Sequence, residues 1–134
     1  MTASARGSSL DPVVEALGDP RARPDVGWIA ALADVDPEEV ESVLSELLAF
    51  VPLERELRQK LIGGGRQYYA QLSAPFETYA LTRLLRPLHV VELGVSSGVS
   101  SLHFLLGIRQ NRGDGILHSI DLPTFQWGWV RREE

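Results

Sequence analysis

Residues 88 to 104, Leu-His-Val-Val-Glu-Leu-Gly-Val-Ser-Ser-Gly-Val-Ser-Ser-Leu-His-Phe, constrain the chain more than any other stretch. A short apolar run ends in an acid, turns on glycines and serines, and passes into a helical pattern. Residues 117 to 123, Leu-His-Ser-Ile-Asp-Leu-Pro, repeat the run and end it on Asp121. Val90 and Val91, bounded by Pro87 and Gly94, fit a strand buried on both faces. Val99, Leu102, Leu105, Leu106 and Ile108 are spaced for a helix over 98–110, which the turn residues Asn111 to Gly115 close. Ile116 to Ile120 reads as the next strand. Strand, helix and strand within about thirty residues make a βαβ unit, whose crossover should be right-handed.

In sheets of this kind ligands sit beyond the carboxyl ends of the strands, which puts Gly94 to Gly98 and Asp121 at one crevice. The backbone N–H groups of the loop and the first helical turn should face the ligand. A carboxylate ending the second strand accepts hydrogen bonds from a ribose diol, at roughly 1.5–3 kcal/mol each. That chemistry suits an adenosine-containing ligand. The dinucleotide fingerprint G-x-G-x-x-G needs glycine at 94, 96 and 99, and the chain has Gly94, Ser96 and Val99. The second glycine lets a pyrophosphate approach the backbone, so Ser96 argues against a dinucleotide more than against a ligand without phosphates.

The run Val90-Val91-Glu92-Leu93-Gly94-Val95-Ser96-Ser97-Gly98 resembles the first motif of class I S-adenosylmethionine-dependent methyltransferases, an apolar strand ending in an acid and then G-x-G-x-G. Gly94 and Gly98 match. Ser96 replaces the middle glycine, which is similar to some O-methyltransferase-like branches. The likeness covers roughly residues 73 to 123. It implies that Glu92 and the loop of Gly94, Val95, Ser96, Ser97 and Gly98 hold the methionine end of S-adenosylmethionine. It implies that Asp121, with Leu122 beside it, holds the ribose.

The resemblance further implies an α/β, Rossmann-like fold and methyl transfer from the sulfonium to a small-molecule acceptor, a displacement that depends mainly on holding two reactants in line. Family members continue with further strands and with the loop that supplies catalytic groups. The expectation is therefore an N-terminal portion, truncated after the second strand, with catalytic residues and methyl acceptor unassigned. Two alternatives stand beside it: a non-catalytic binding or dimerisation protein that keeps a cofactor half-site, and an NAD-type nucleotide-binding enzyme. The plain structural alternative is that Glu92 caps a turn, the glycines only permit it, and Asp121 begins the next loop.

A net charge of -5 with no long basic run leaves no electrostatic footprint for nucleic acid or an anionic membrane. The absence of cysteine removes disulfides, thiolate metal sites and cysteine nucleophiles. No apolar run is long enough to span a membrane and no signal peptide is recognisable, so a cytoplasmic location is expected. His89, His103 and His118 fall on two strands and a helix with no ligand spacing among them, so structural roles and no metal site are expected. Ser96 and Ser97 do not fit the G-x-S-x-G nucleophile turn.

Residues 1–10 read as a disordered tail, 11–72 as a helical cap, and 73–134 as the partial cofactor domain. Asp11 to Leu17 is expected as a short helix and residues 21–24 as a linker. Residues 26–33 and 37–50 are expected as helices, with Asp36 as N-cap and Pro37 at the first helical position. Val40, Val43, Leu44, Leu47 and Leu48 make an apolar stripe, suited to packing, to capping the sheet, or to a homodimer face. A DNA-reading helix is excluded there, because Asp34, Asp36, Glu38, Glu39, Glu41 and Glu46 come with no Lys or Arg. Leu53 to Ile62 is expected as a helix stopped by Gly63-Gly64-Gly65, which no Lys-Ser/Thr follows and so is no phosphate loop. Ser73 is the expected cap of a helix from Ala74 to Leu85 that packs on the sheet. Tyr68 and Tyr69 are expected as packing groups, with contact to the ligand crevice as the alternative, and Trp127 and Trp129 either cover the sheet or stand exposed.

Overall fold

The computed structural model describes residues 10–17, 23–63, 74–95 and 98–121. Expectations placed on residues 1–9, Gly64, Gly65, Tyr68, Tyr69, Ser73, Ser96, Ser97, Leu122, Trp127 and Trp129 lie outside the described residues. Helices α1 (Asp11–Leu17), α2 (Val26–Ala33) and α3 (Pro37–Ser45) lead through a 3-10 helix (Glu46–Phe50) to α4 (Val51–Gly63). Then come α5 (Pro75–Leu85), β1 (His89–Leu93), α6 (Val99–Gln110) and β2 (Ile116–Ile120). This is a mixed α/β arrangement in which β1 and β2 pair in parallel as a two-stranded sheet. No helix among the described residues is long and apolar enough to cross a membrane.

Local chemistry explains the helix ends. The Asp25 carboxylate accepts the Trp28 N–H at 2.9 Å and starts α2, and Asp34 at φ 56 stops it. Pro37 opens α3 as expected, but Asp36 caps through its carbonyl, which accepts the Glu39 N–H at 3.0 Å, and not through its side chain. The expected single helix over 37–50 is corrected. The α-helical ladder stops at Ser45, tightens over Glu46–Phe50, and α4 begins at Val51, where Pro52 is tolerated in a first turn. Likewise α5 begins at Pro75 rather than Ala74, because proline has its φ pre-set and no N–H to lose at the first position.

Val40, Val43, Leu44 and Leu47 are buried in one cluster with Val13, Ile29, Phe76, Tyr79 and Leu106. Leu48 is exposed, which corrects the stripe. In a 3-10 turn residues i and i+3 eclipse, so Leu47 stays over Leu44 while Leu48 swings to solvent. The buried members of the stripe are used inside the chain. The same cluster draws from both sides of residue 73, so the helical region and the β–α–β region share a core.

The helix before the first strand was expected on the sheet; among the described residues its main partner is α6. Gly107 makes that close approach possible. A polar network ties the two regions at the surface of this packing: Arg83 grips Glu46 with Nε at 2.7 Å and Nη2 at 2.8 Å, Tyr79 donates to Glu46 at 2.6 Å, and Arg83 also donates to Asn111. The Arg83 hydrogen bonds hold the Glu46 carboxyl below the usual range, against the opposing effect of burial.

The sheet presents two unlike faces. Val90, Glu92, Leu117 and Ser119 turn toward α6, whereas His89, Val91, Leu93, Ile116, His118 and Ile120 lie on the other face and are exposed. Burial of β1 on both faces is therefore corrected: α6 covers one face, and no described element covers the other.

Replacing Gly107 by Ala should destabilise the fold. The new Cβ would sit 2.8 Å from both Cβ and Cγ2 of Thr82 and 3.4 Å from the Tyr79 carbonyl. Thr82 cannot easily turn away, since it is β-branched and its hydroxyl is bonded to the Thr78 carbonyl at 2.7 Å. Overpacking costs about 1–3 kcal/mol, which outweighs the gain of up to about 1 kcal/mol in helix propensity. Urea unfolding should show a lower midpoint at unchanged slope, only partly restored by adding Thr82→Ala, which removes Cγ2 but keeps the Cβ 2.8 Å away. A midpoint at or above that of the parent chain would exclude this helix contact.

Candidate functional site

The crevice forms where the two strands end. Register pairs Glu92 with Ser119 and Leu93 with Ile120, and the Gly94 N–H donates to the Ile120 carbonyl at 2.8 Å. One further step along the same register sets Asp121 level with Gly94. Both motif glycines have positive φ, Gly94 at 83 and Gly98 at 77, a conformation that costs other residues roughly 1–2 kcal/mol. Among the described residues, a Cβ added at either position would meet nothing within 4 Å, so it is the backbone conformation that calls for glycine.

The Gly98 N–H donates back to the Val95 carbonyl at 2.8 Å and closes the loop, while the Gly98 carbonyl accepts the Leu102 N–H at 3.0 Å. The expectation that the loop N–H groups face a ligand is thereby narrowed. Those of Gly94 and Gly98 are used within the protein. The N–H groups of Val99, Ser100 and Ser101 precede the first intrahelical bond of α6 and point out of its N-terminus.

Glu92 is buried at the end of β1, and its carboxylate is held by hydroxyls of its own chain. Ser100 donates to Oε1, while Ser101 at 2.6 Å and Ser119 at 2.8 Å donate to Oε2. Burial works to raise the Glu92 pKa, but the three hydroxyls prevail and hold it below the usual carboxylate value; the nearby Asp121 charge acts with burial. Glu92 thus positions β1, β2 and the first turn of α6. This places it closer to a structural clasp than to the methionine-holding role that the resemblance implies.

The three serines escaped sequence reasoning, although a signal for them existed. Ser100 and Ser101 fall in the first turn of α6, next to the strand end, and Ser119 is the register partner of Glu92. Of the expected cofactor residues the structure brings Glu92, Gly94, Val95, Gly98 and Asp121 to one end of the sheet; Ser96, Ser97 and Leu122 lie outside the described residues. His103 is buried in a structural role, its Nδ1 donating to the Val99 carbonyl at 2.7 Å and its Nε2 against the buried Glu54. No protein-family model, curated protein or solved structure matches the chain.

Replacing Glu92 by Gln should cost about 1–3 kcal/mol, because an amide cannot accept from hydroxyls at both ends. The sign of the pH dependence follows from the lowered pKa. The stabilisation is fully present above the unfolded carboxylate value of about 4.3, and is lost as pH falls through the lower folded value. Urea titrations across pH should therefore give a parent–variant difference that is constant near neutrality and closes in acid. A difference that ignores pH would remove the ionised clasp.

Proposed function

We propose that this chain carries the first half of the cofactor site of a class I S-adenosylmethionine-dependent methyltransferase acting on a small-molecule acceptor in the cytoplasm. One observation carries the reading. A parallel β–α–β unit holds both motif glycines at positive φ, with no described residue within 4 Å of where their Cβ atoms would be and an acid at the end of each strand.

The residues fit the cofactor in kind. Asp121, exposed beside Gly94, would accept hydrogen bonds from a ribose diol. The space that the described residues leave over Gly94 and Gly98 admits an amino-acid end, and the N–H groups at the start of α6 can receive its carboxylate. Glu92 fixes the strand end that carries the loop. When bound, the cofactor supplies a methyl group activated on a sulfonium.

Calorimetric titration of the 134-residue chain with S-adenosylmethionine, S-adenosylhomocysteine and NAD tests this reading. The first two should bind saturably, and Asp121→Ala should weaken both by about tenfold or more, the equivalent of one charge-assisted hydrogen bond. Binding of NAD alone would move the assignment to a dinucleotide enzyme. No binding of any of the three by the folded chain would overturn the cofactor site.

A further inference from the structure

We propose that His89 and His118 form a surface site for a divalent transition-metal ion, on the sheet face away from α6 and independent of the cofactor reading. The parallel register brings together two residues that lie far apart in sequence. His89 pairs with Ile116 and His118 with Val91, so the imidazoles are diagonal neighbours on one face. His89 Nδ1 lies 3.0 Å from His118 Nε2, and the ring centroids are 5.3 Å apart. Both side chains are exposed, so a hydrated ion can reach them without any opening of the fold.

The spacing is that of two ligands on one ion. Imidazole nitrogens bind zinc at about 2.0–2.1 Å, and two of them at octahedral or tetrahedral angles stand roughly 2.9–3.4 Å apart. The observed separation falls within that span; the rings meet end to end in the free protein, and both turn about their side-chain torsions to converge on the ion. In the free protein so short a contact needs one ring to donate to the other. An ion takes the place of the shared proton, which moves to the outer nitrogen of the same ring.

The strands hold the pair in place. The Ile116 N–H donates to the Leu88 carbonyl at 2.9 Å, beside His89, and the ladder continues past His118 to Ile120. The ladder fixes the two backbone positions, so that only the torsions of these exposed side chains change on binding. Among the described residues no group of three or more His, Cys, Asp or Glu side chains is placed to hold a metal, so water fills the remaining positions. Two imidazoles and water select zinc, nickel or copper over magnesium or calcium, which require oxygen ligands. Since the ion bridges β1 and β2, it binds the folded sheet and stabilises it.

The test is titration of the full, tag-free chain with zinc chloride and nickel chloride, followed by calorimetry and by the imidazole proton resonances, with magnesium chloride as control. Zinc and nickel should bind saturably at one ion per chain, shifting the His89 and His118 signals and leaving those of buried His103. Magnesium should not bind. His89→Ala and His118→Ala should each abolish the saturable phase and the rise in melting temperature that zinc produces in the parent, with circular dichroism confirming that both variants fold. Absence of saturable binding, equal binding of magnesium, or binding that survives in the double variant would each overturn the site.

Discussion

A buried carboxylate at the end of β1 sets the terms for everything around it. An unpaired charge there would cost several kcal/mol, so Glu92 is tolerable only where donors surround it. Its donors come from two other elements, Ser100 and Ser101 on α6 and Ser119 on β2. They converge only when strand, helix and second strand are all in place. A slip of one residue in either strand would turn Glu92 or Ser119 to the opposite face and break the set. A two-stranded parallel sheet is marginal by itself, and this clasp specifies a register that backbone pairing alone would hold weakly.

The helical region secures the other side of α6. His103 shows why this matters. The Val99 carbonyl can only accept, so the His103 Nδ1 donates to it, and Nε2 faces the buried Glu54 carboxyl. Both groups are buried, so α4 and α6 are joined by a polar contact whose loss on one side would cost about 3–5 kcal/mol. Gly107 against Thr82, and Arg83 with Glu46, fix the same helix against α5 and the 3-10 segment. The loop from Gly94 to Gly98 opens directly onto the N-terminus of α6. The cap therefore acts on the site through the helix that it holds.

What could be read in advance follows from how local each cause is. The helical spacing from Val99 to Ile108, the strand Ile116–Ile120, Pro37 at a first turn and the glycines at 94 and 98 depend on neighbours in sequence, and all stand where the sequence puts them. The break at Ser45 was hidden because Leu44 and Leu47 suit a 3.0-residue period as well as a 3.6-residue one. Val90 and Val91 suit burial on either face, yet burial depends on what covers the sheet, and Val91 and Leu93 are more than half exposed. His89 and His118 meet only because the register places them so, and that register rests on the Glu92–Ser119 pairing. Spacing along the chain carries no trace of such a contact.

For the cofactor site proposed above, charge at the crevice bears on which adenosine ligand suits it. Asp121 raises the proton affinity of Glu92, which means that the two carboxylates feel one another across the strand ends. Opposing them is the N-terminus of α6, equivalent to about half a positive charge. Two carboxylates outweigh it, and the chain as a whole carries -5. A pyrophosphate would bring further negative charge into this field and would approach the loop where Ser96 replaces the permissive glycine. A sulfonium with an amino-acid tail brings positive charge near the acids, and a single carboxylate that the helix terminus can receive. The field and the loop sequence thus favour the same ligand class for separate reasons, one electrostatic and one steric.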